Sequence, residues 1–199
     1  MRVVNVKGEK RENLGTKYAR AARKKGVVPC VVYGPDTLFH FVVPKLDLRE
    51  VIYTPEFTFV DIEVEGEKHR CILKSYELHP VTDEVLHVDF LRLKEGVPVK
   101  VEIPVSFKGP SKGEKLGGKL IQSVRKVKVK TTPDKLVSTL VVDIHDVGLG
   151  ESPRVKDIPV VEGMEIMMHP NIPLATVEVP RALKSAASAE AKEAAAAEA

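Results

Sequence analysis

Apolar and polar positions in this chain alternate over short stretches far more often than they repeat at helical spacing, which predicts a mainly β protein. Val28 to Tyr33 is a compact apolar run closed by Gly34-Pro35, a strong turn signal, and Leu38 to Val43 is placed to pair back against it. Phe57 to Val64 and His69 to Lys74 flank Glu65-Gly66-Glu67, which predicts a hairpin. Phe57/Phe59 and Val60/Ile62/Val64 fall on opposite phases, so the pattern predicts either a bulge or burial on both faces, as in a small closed barrel. The clearest alternation is Val97, Val99, Val101, Ile103, Val105 and Phe107, a half-buried strand. Pro98 and Pro104 each remove a ladder donor there, which predicts an edge strand or one paired on a single side. Val127 and Val129 alternate with Lys126, Lys128 and Lys130, giving a strand with a lysine-coated face, and Leu140, Val142 and Ile144 alternate again. Residues 144–152 read as a tight turn leading to a further strand.

Two short helices interrupt this pattern. Thr16 to Lys25 is rich in helix formers and stops at Gly26; Pro44 to about Tyr53 carries Leu48, Val51 and Ile52 at helical spacing, with Pro44 suited to the first turn. The glycine-rich stretch 109–120 lacks GxxxxGK[ST] and reads as a flexible connection rather than a phosphate cradle. The polar break Lys94-Glu95-Gly96 predicts a boundary between a domain of residues 1–94 and a β-rich domain of residues 95–180. From Arg181 onward Ala, Glu, Lys and Ser dominate, a low-complexity tail over 181–199 with helix propensity but little to dock it.

Composition narrows the class. Hydrophobic residues make up 43% of the 199, enough to build a core. No apolar run approaches the ~18 residues of a membrane span, and the charged start MRVVNVKGEKRE does not suit a leader, so a cytosolic protein is expected. Cys30 and Cys71 each sit in an apolar run without a CxxC partner, which predicts two reduced core thiols over a disulfide or a metal or redox role. The formal net charge is only +3, but the first 33 residues hold nine Lys/Arg against two acids. That basic block is either a solvated face or the footprint of a phosphate-rich partner.

Candidate chemistry follows the charge. His79, His87 and Asp89 offer two imidazoles and a carboxylate, but no third element of a metal-site or catalytic fingerprint accompanies them. They read as groups that orient one another or a loop, or as an RNA contact from a strand end; no cofactor and no small-molecule substrate is expected. On a helix over 16–25, Lys17, Arg20 and Lys24 share a face with Arg23 beside them, while Tyr18 and Ala22 line another face suited to burial. Such a stripe can lie along phosphates. Tyr33 either stacks at the same surface or is a core tyrosine with its hydroxyl at the rim.

The stretch Gly15 to Gly34, GTKYARAARKKGVVPCVVYG, resembles the N-terminal signature of the bacterial 5S rRNA-binding large-subunit ribosomal protein twenty-five family, in its long CTC (general stress protein) branch. The His79 to Phe90 run agrees, as do Gly117 to Leu120 and Asp143 to Gly150 in the second half. The resemblance implies a six-stranded N-terminal β-barrel with short helices, similar to an anticodon-binding domain of glutaminyl-tRNA synthetase, followed by a second β-rich domain. It implies binding to the loop E region of 5S rRNA, with Arg20 and Arg23 on phosphates, Tyr33 at the same surface, and His87 and Asp89 reaching the RNA from the far strand. Ala21 stands where the family commonly has arginine, and Lys74 and Glu77 where it often has glutamines. Lys74 replaces a polar contact with a charged one, whereas Glu77 facing phosphate would be repulsive. The expectation is therefore a ribosome-associated, non-enzymatic rRNA-binding protein using Lys17, Arg20, Arg23, Lys24, Tyr33, Lys74, His87 and Asp89. The second domain is expected to meet other large-subunit proteins. The rivals are an RNA- or tRNA-binding stress factor acting off the ribosome and a protein-interaction module.

Overall fold

The computed structural model describes residues 2–35, 37–159 and 163–180; the Ala/Glu-rich tail lies outside them. It divides into two compact units, the first Met1–Ile103 with Val129–Ser138 and Glu162–Glu165, the second Pro104–Lys128, Thr139–Val161 and Ile166–Ala199.

Six strands make a closed barrel in the first unit: β1 (Val3–Lys10), β2 (Val27–Tyr33), β3 (Leu38–Pro44), β4 (Phe59–Val64), β5 (Glu67–Leu78) and β6 (Val85–Arg92), in the order β1-β3-β2-β6-β5-β4. The β2–β3 and β4–β5 hairpins are those expected from the alternation, and both are antiparallel. Closure depends on β1, which the alternation had not suggested: it runs parallel to β4 and antiparallel to β3. Alternate residues face inward, so Val6, Val28, Cys30, Val32, Phe41, Val43, Val60, Ile62, Cys71, Val88 and Phe90 fill the lumen. Gly8 is needed because a Cβ there would collide with the Phe41 ring.

The two aromatic phases in β4 resolve without a bulge. Its register with β5 is regular, Val60, Ile62 and Val64 point inward, and Phe59 stays outside against Phe57, ring centroids 6.1 Å apart. The helix expected from Pro44 is shorter than its pattern. Pro44 ends β3, Asp47 and Arg49 make i→i+3 turns back to Pro44 and Leu46, and α2 spans only Arg49–Ile52. Leu48 and Val51 still enter the barrel core, which accounts for the helical spacing of the apolar residues. Cys30 and Cys71 are free and buried; burial pushes the Cys71 thiol up to about 12 and Cys30 higher still, so both resist ionisation.

Beyond the barrel come β7 (Val99–Lys108), α3 (Lys112–Lys115), β8 (Lys119–Gln122), β9 (Lys126–Thr131), β10 (Leu140–Asp143), β11 (Met164–Ile166) and β12 (Ala175–Glu178). β7 is an inner strand of a sheet ordered β10-β7-β9-β11, with a neighbour on each side, and not the expected edge or singly paired strand. Pro98 precedes the strand, and β10 pairs with β7 only from Val105 onward, so neither proline deprives β10 of a donor. In the second unit β8 pairs antiparallel with β12.

The glycine-rich stretch is a folded turn rather than a loose connection. Ser111 and Glu114 form a capping box, with Glu114 N–H donating to Ser111 Oγ at 3.1 Å and Ser111 N–H to Glu114 Oε2 at 2.9 Å. Gly113 and Gly118 lie so close to Val177 that a Cβ on either would sit 2.7 Å from its Cγ1. The turn at 144–152 leads not to a strand but to a single bridge from Arg154 to Pro173 and a 3-10 turn at Val155–Asp157.

Phe41 is fully buried, 6.0 Å from the Phe90 ring and above Gly8. Phe41→Ala is expected to cost ~3–5 kcal/mol, the usual price of an aromatic-sized core cavity. A shift in the urea midpoint with an unchanged m-value measures it, and a loss below ~1 kcal/mol would mean that the barrel refills the space.

Candidate RNA interface

α1 (Thr16–Lys24) leaves Gly15 and ends before Gly26, whose φ of 79° is accessible to a residue without a Cβ. Arg23 and Lys24 occupy its last turn, where the helix dipole favours cations. Among the described residues α1 has no buried side chain, and Tyr18 is 49% exposed. The apolar face expected from Tyr18 and Ala22 is therefore only half realised, since Ala22 is half-buried and Tyr18 points to solvent.

The helix is held largely by polar tethers. Arg23 Nε donates to the Leu86 carbonyl of β6 at 2.9 Å. Arg11 spans the connection into the helix, its Nε donating to the Asn13 carbonyl at 2.8 Å while its backbone N–H donates to His40 on β3. Arg23 was expected on phosphate; the structure gives one of its five donors to the barrel and leaves the Nη groups for other use.

Lys17, Arg20 and Lys24 are exposed. Among the described residues they make no ion pair, whereas Arg2, Lys10, Lys45 and Arg70 each meet a carboxylate within 3.0 Å. The sequence explains the difference: no acid occurs between Glu12 and Asp36.

The other candidates lie on the outer wall formed by β2, β6 and β5. Register places Val31, Asp89 and Ser75 side by side across the three strands, with Glu77 opposite His87. His87 Nδ1 lies 2.9 Å from Asp89 Oδ1, and Ser75 Oγ donates to Asp89 Oδ2 at 2.6 Å. Tyr33 follows two residues after Val31; partial burial, and then the charge of Asp89, raises its hydroxyl pKa. The structure thus brings Tyr33, His87 and Asp89 to one wall, with α1 tethered one residue from His87.

Lys74 sits at the register shift between Leu73 and Ser75, and its Nζ donates to the Lys100 carbonyl at 3.0 Å. That bond occupies one of its donors in a backbone contact. His79 belongs to a turn, its Nδ1 accepting from the Val81 and Thr82 N–H groups, in line with the loop-orienting role. Ser75 was not among the expected site residues. Its role depends on a pairing across strands and on the register shift at Lys74, neither of which leaves a local mark in the sequence.

Among the described residues no group of three or more His, Cys, Asp or Glu side chains is arranged to hold a metal ion, and no helix is long and apolar enough to cross a membrane. A cleft of about 530 Å3 in the second unit is lined by Asp143, Asp146, Glu151 and Asp157. Three of these carboxylates accept from the backbone N–H groups of His145, Gly148 and Arg154, and Asp146 pairs with Lys112, so they cap turns.

The fold and wall define a two-unit, mainly β protein with an uncompensated cationic helix mounted on a closed barrel. Residues 6–90 match the ribosomal L25p family, and residues 98–181 match the ribosomal protein TL5 C-terminal domain. The large ribosomal subunit protein bL25 of Bacteroides thetaiotaomicron is 38% identical over 197 residues, covering 96% of this chain and all of that protein. The bL25 protein of Cytophaga hutchinsonii is 38% identical over 192 residues with the same coverage, and that of Amoebophilus asiaticus 35% identical over 193. The chain belongs to the ribosomal L25p family and is a structural constituent of the ribosome.

The Arg23 tether separates the two arginines of α1. Arg23→Ala is expected to destabilise the protein by about 1–2 kcal/mol through loss of the charge-assisted bond to Leu86, and Arg20→Ala to stay within about 0.5 kcal/mol of the parent. Equal denaturation midpoints for the two variants would show that the Leu86 bond does not hold the helix.

Proposed function

We propose that this chain binds 5S rRNA in the large ribosomal subunit, at its loop E region, through α1 and the β2-β6-β5 wall. The observation that carries the reading is the set of unpaired cations Lys17, Arg20 and Lys24 on a tethered helix, within a stretch, residues 13–35, that contains no acid. Phosphates supply the missing counter-charge, and their neutralisation releases condensed counterions. Membership of a ribosomal family and relatives named as large-subunit proteins support the same partner. Binding involves no cofactor and no catalytic step: α1 and the Nη groups of Arg23 meet phosphates, while Tyr33, His87 and Asp89 meet groups between them. Lys74 contributes through donors not used on Lys100. The second domain, in this reading, meets neighbouring large-subunit proteins.

Arg20→Ala is expected to weaken 5S rRNA binding by ~1–3 kcal/mol and to flatten the log–log salt dependence by roughly one unit. Asp89→Ala is expected to cost affinity without flattening it, because a carboxylate gains nothing from phosphate. Titrations over a salt series decide the matter: parental affinity and slope in Arg20→Ala would remove the helix from the site. Retained tRNA binding without association to large subunits would favour a factor acting off the ribosome.

The boundary at residues 94–96 is part of the proposal, since the sixth barrel strand ends at Arg92. A fragment of residues 1–94 is expected to melt cooperatively and to bind 5S rRNA unaided. Broad melting would place the boundary elsewhere.

A further inference from the structure

The barrel wall carries a row of three close polar side chains that charge alone does not explain. Ser75 on β5 lies directly opposite Asp89 on β6, and His87 lies two residues before Asp89 on the same strand. The Asp89 carboxylate has a polar neighbour at each oxygen: Ser75 Oγ donates to Oδ2 at 2.6 Å, and His87 Nδ1 lies 2.9 Å from Oδ1. A carboxylate only accepts, and a bare Nδ1 this close to it would set two lone pairs against each other, so the favoured place for the proton of a neutral His87 is Nδ1. Its Nε2 is then an acceptor, and among the described residues Nε2 has no partner. About a third of each side chain, His87 and Asp89, is exposed, so the pair is open to a ligand.

We infer that Ser75 is a positioning residue: through Asp89 it fixes the tautomer and orientation of His87, so that the wall presents a hydrogen-bond acceptor to a donor on RNA. The choice of RNA rests on the function proposed above; the tautomer does not. The complement of a neutral Nε2 is a ribose 2′-hydroxyl or a base amino group, not a phosphate oxygen, which itself only accepts. The interface is thereby divided. α1 supplies charge that any phosphate satisfies, and the wall supplies a contact that requires a particular donor at a particular place. Ser75 is the weak member of the row in appearance only. Without it the carboxylate is held on one side, free to turn about its own bond, and Glu77, opposite His87 on β5, becomes a competing acceptor for the imidazole.

The test uses the full chain. Nitrogen-15 NMR of histidine-labelled protein in alkaline buffer should show His87 protonated on Nδ1 in the parent, a mixture of tautomers in Ser75→Ala, and the parental signature again in Ser75→Thr. In 5S rRNA titrations Ser75→Ala should weaken binding by about three- to tenfold, as expected for one lost hydrogen bond, with the salt slope unchanged. Combined with His87→Ala, the Ser75→Ala change should cost clearly less than it does alone, since part of its effect runs through His87. An unaltered Nδ1–H signature in Ser75→Ala overturns the inference, as does an undiminished cost of Ser75→Ala beside His87→Ala. A flattened salt slope would make Ser75 part of the phosphate contact and overturns it as well. Failure of the parent protein itself to bind 5S rRNA would instead overturn the proposed function and the donor-reading half of the inference, with the NMR spectrum still deciding the positioning half.

Discussion

Pairing of β1 with β4 in parallel and with β3 antiparallel is the constraint on which the rest of the barrel depends. It turns five sequentially linked strands into a closed wall without a free edge. Once the wall is closed the alternation of side chains is fixed on every strand. A one-residue slip anywhere would exchange the lumen set, led by Phe41, Ile62 and Phe90, with the polar exterior. The positions of Ser75, His87 and Asp89 relative to one another follow from the same closure, because they are register partners or lie two apart on one strand. The chemistry of the wall is in that sense a by-product of how the lumen is filled.

Electrostatics separates the charged residues into two populations. Arg70 pairs with Asp61 through two nitrogens, Lys45 meets Glu84, and Lys10 meets Glu65. Exposed pairs of this kind contribute little to stability, since each gain is offset by screening and ordering. Their importance here is that they use up charge. On α1 the charge stays uncompensated, and a segment without acids from residue 13 to residue 35 keeps it so.

Much of the fold was legible in the sequence because local alternation reports directly on which face of a strand is buried. β2, β3, β9 and β10 follow it closely, while β5, expected over His69 to Lys74, is twice that length. β1 was not legible, since Lys7, Gly8, Glu9 and Lys10 blur its pattern and its parallel partner lies more than fifty residues away. β7 shows the limit of a residue rule: two prolines argued for an edge, yet both fall outside the stretch paired with β10. The charges of the candidate site could be read from composition and from family resemblance. The hydrogen bonds that organise them, Arg23 to Leu86 and Ser75 to Asp89, join residues 63 and 14 positions apart and exist only once the strands are paired.

The Arg23–Leu86 bond has a further consequence for any partner of α1. A nine-residue helix is too short to persist alone in water. Had it folded only on contact, part of each encounter's binding free energy would have gone into ordering the segment, and many collisions would have been fruitless. Tethered to β6 beforehand, the helix offers its cations in a preorganised array, so that association needs orientation of a rigid body rather than folding of a chain.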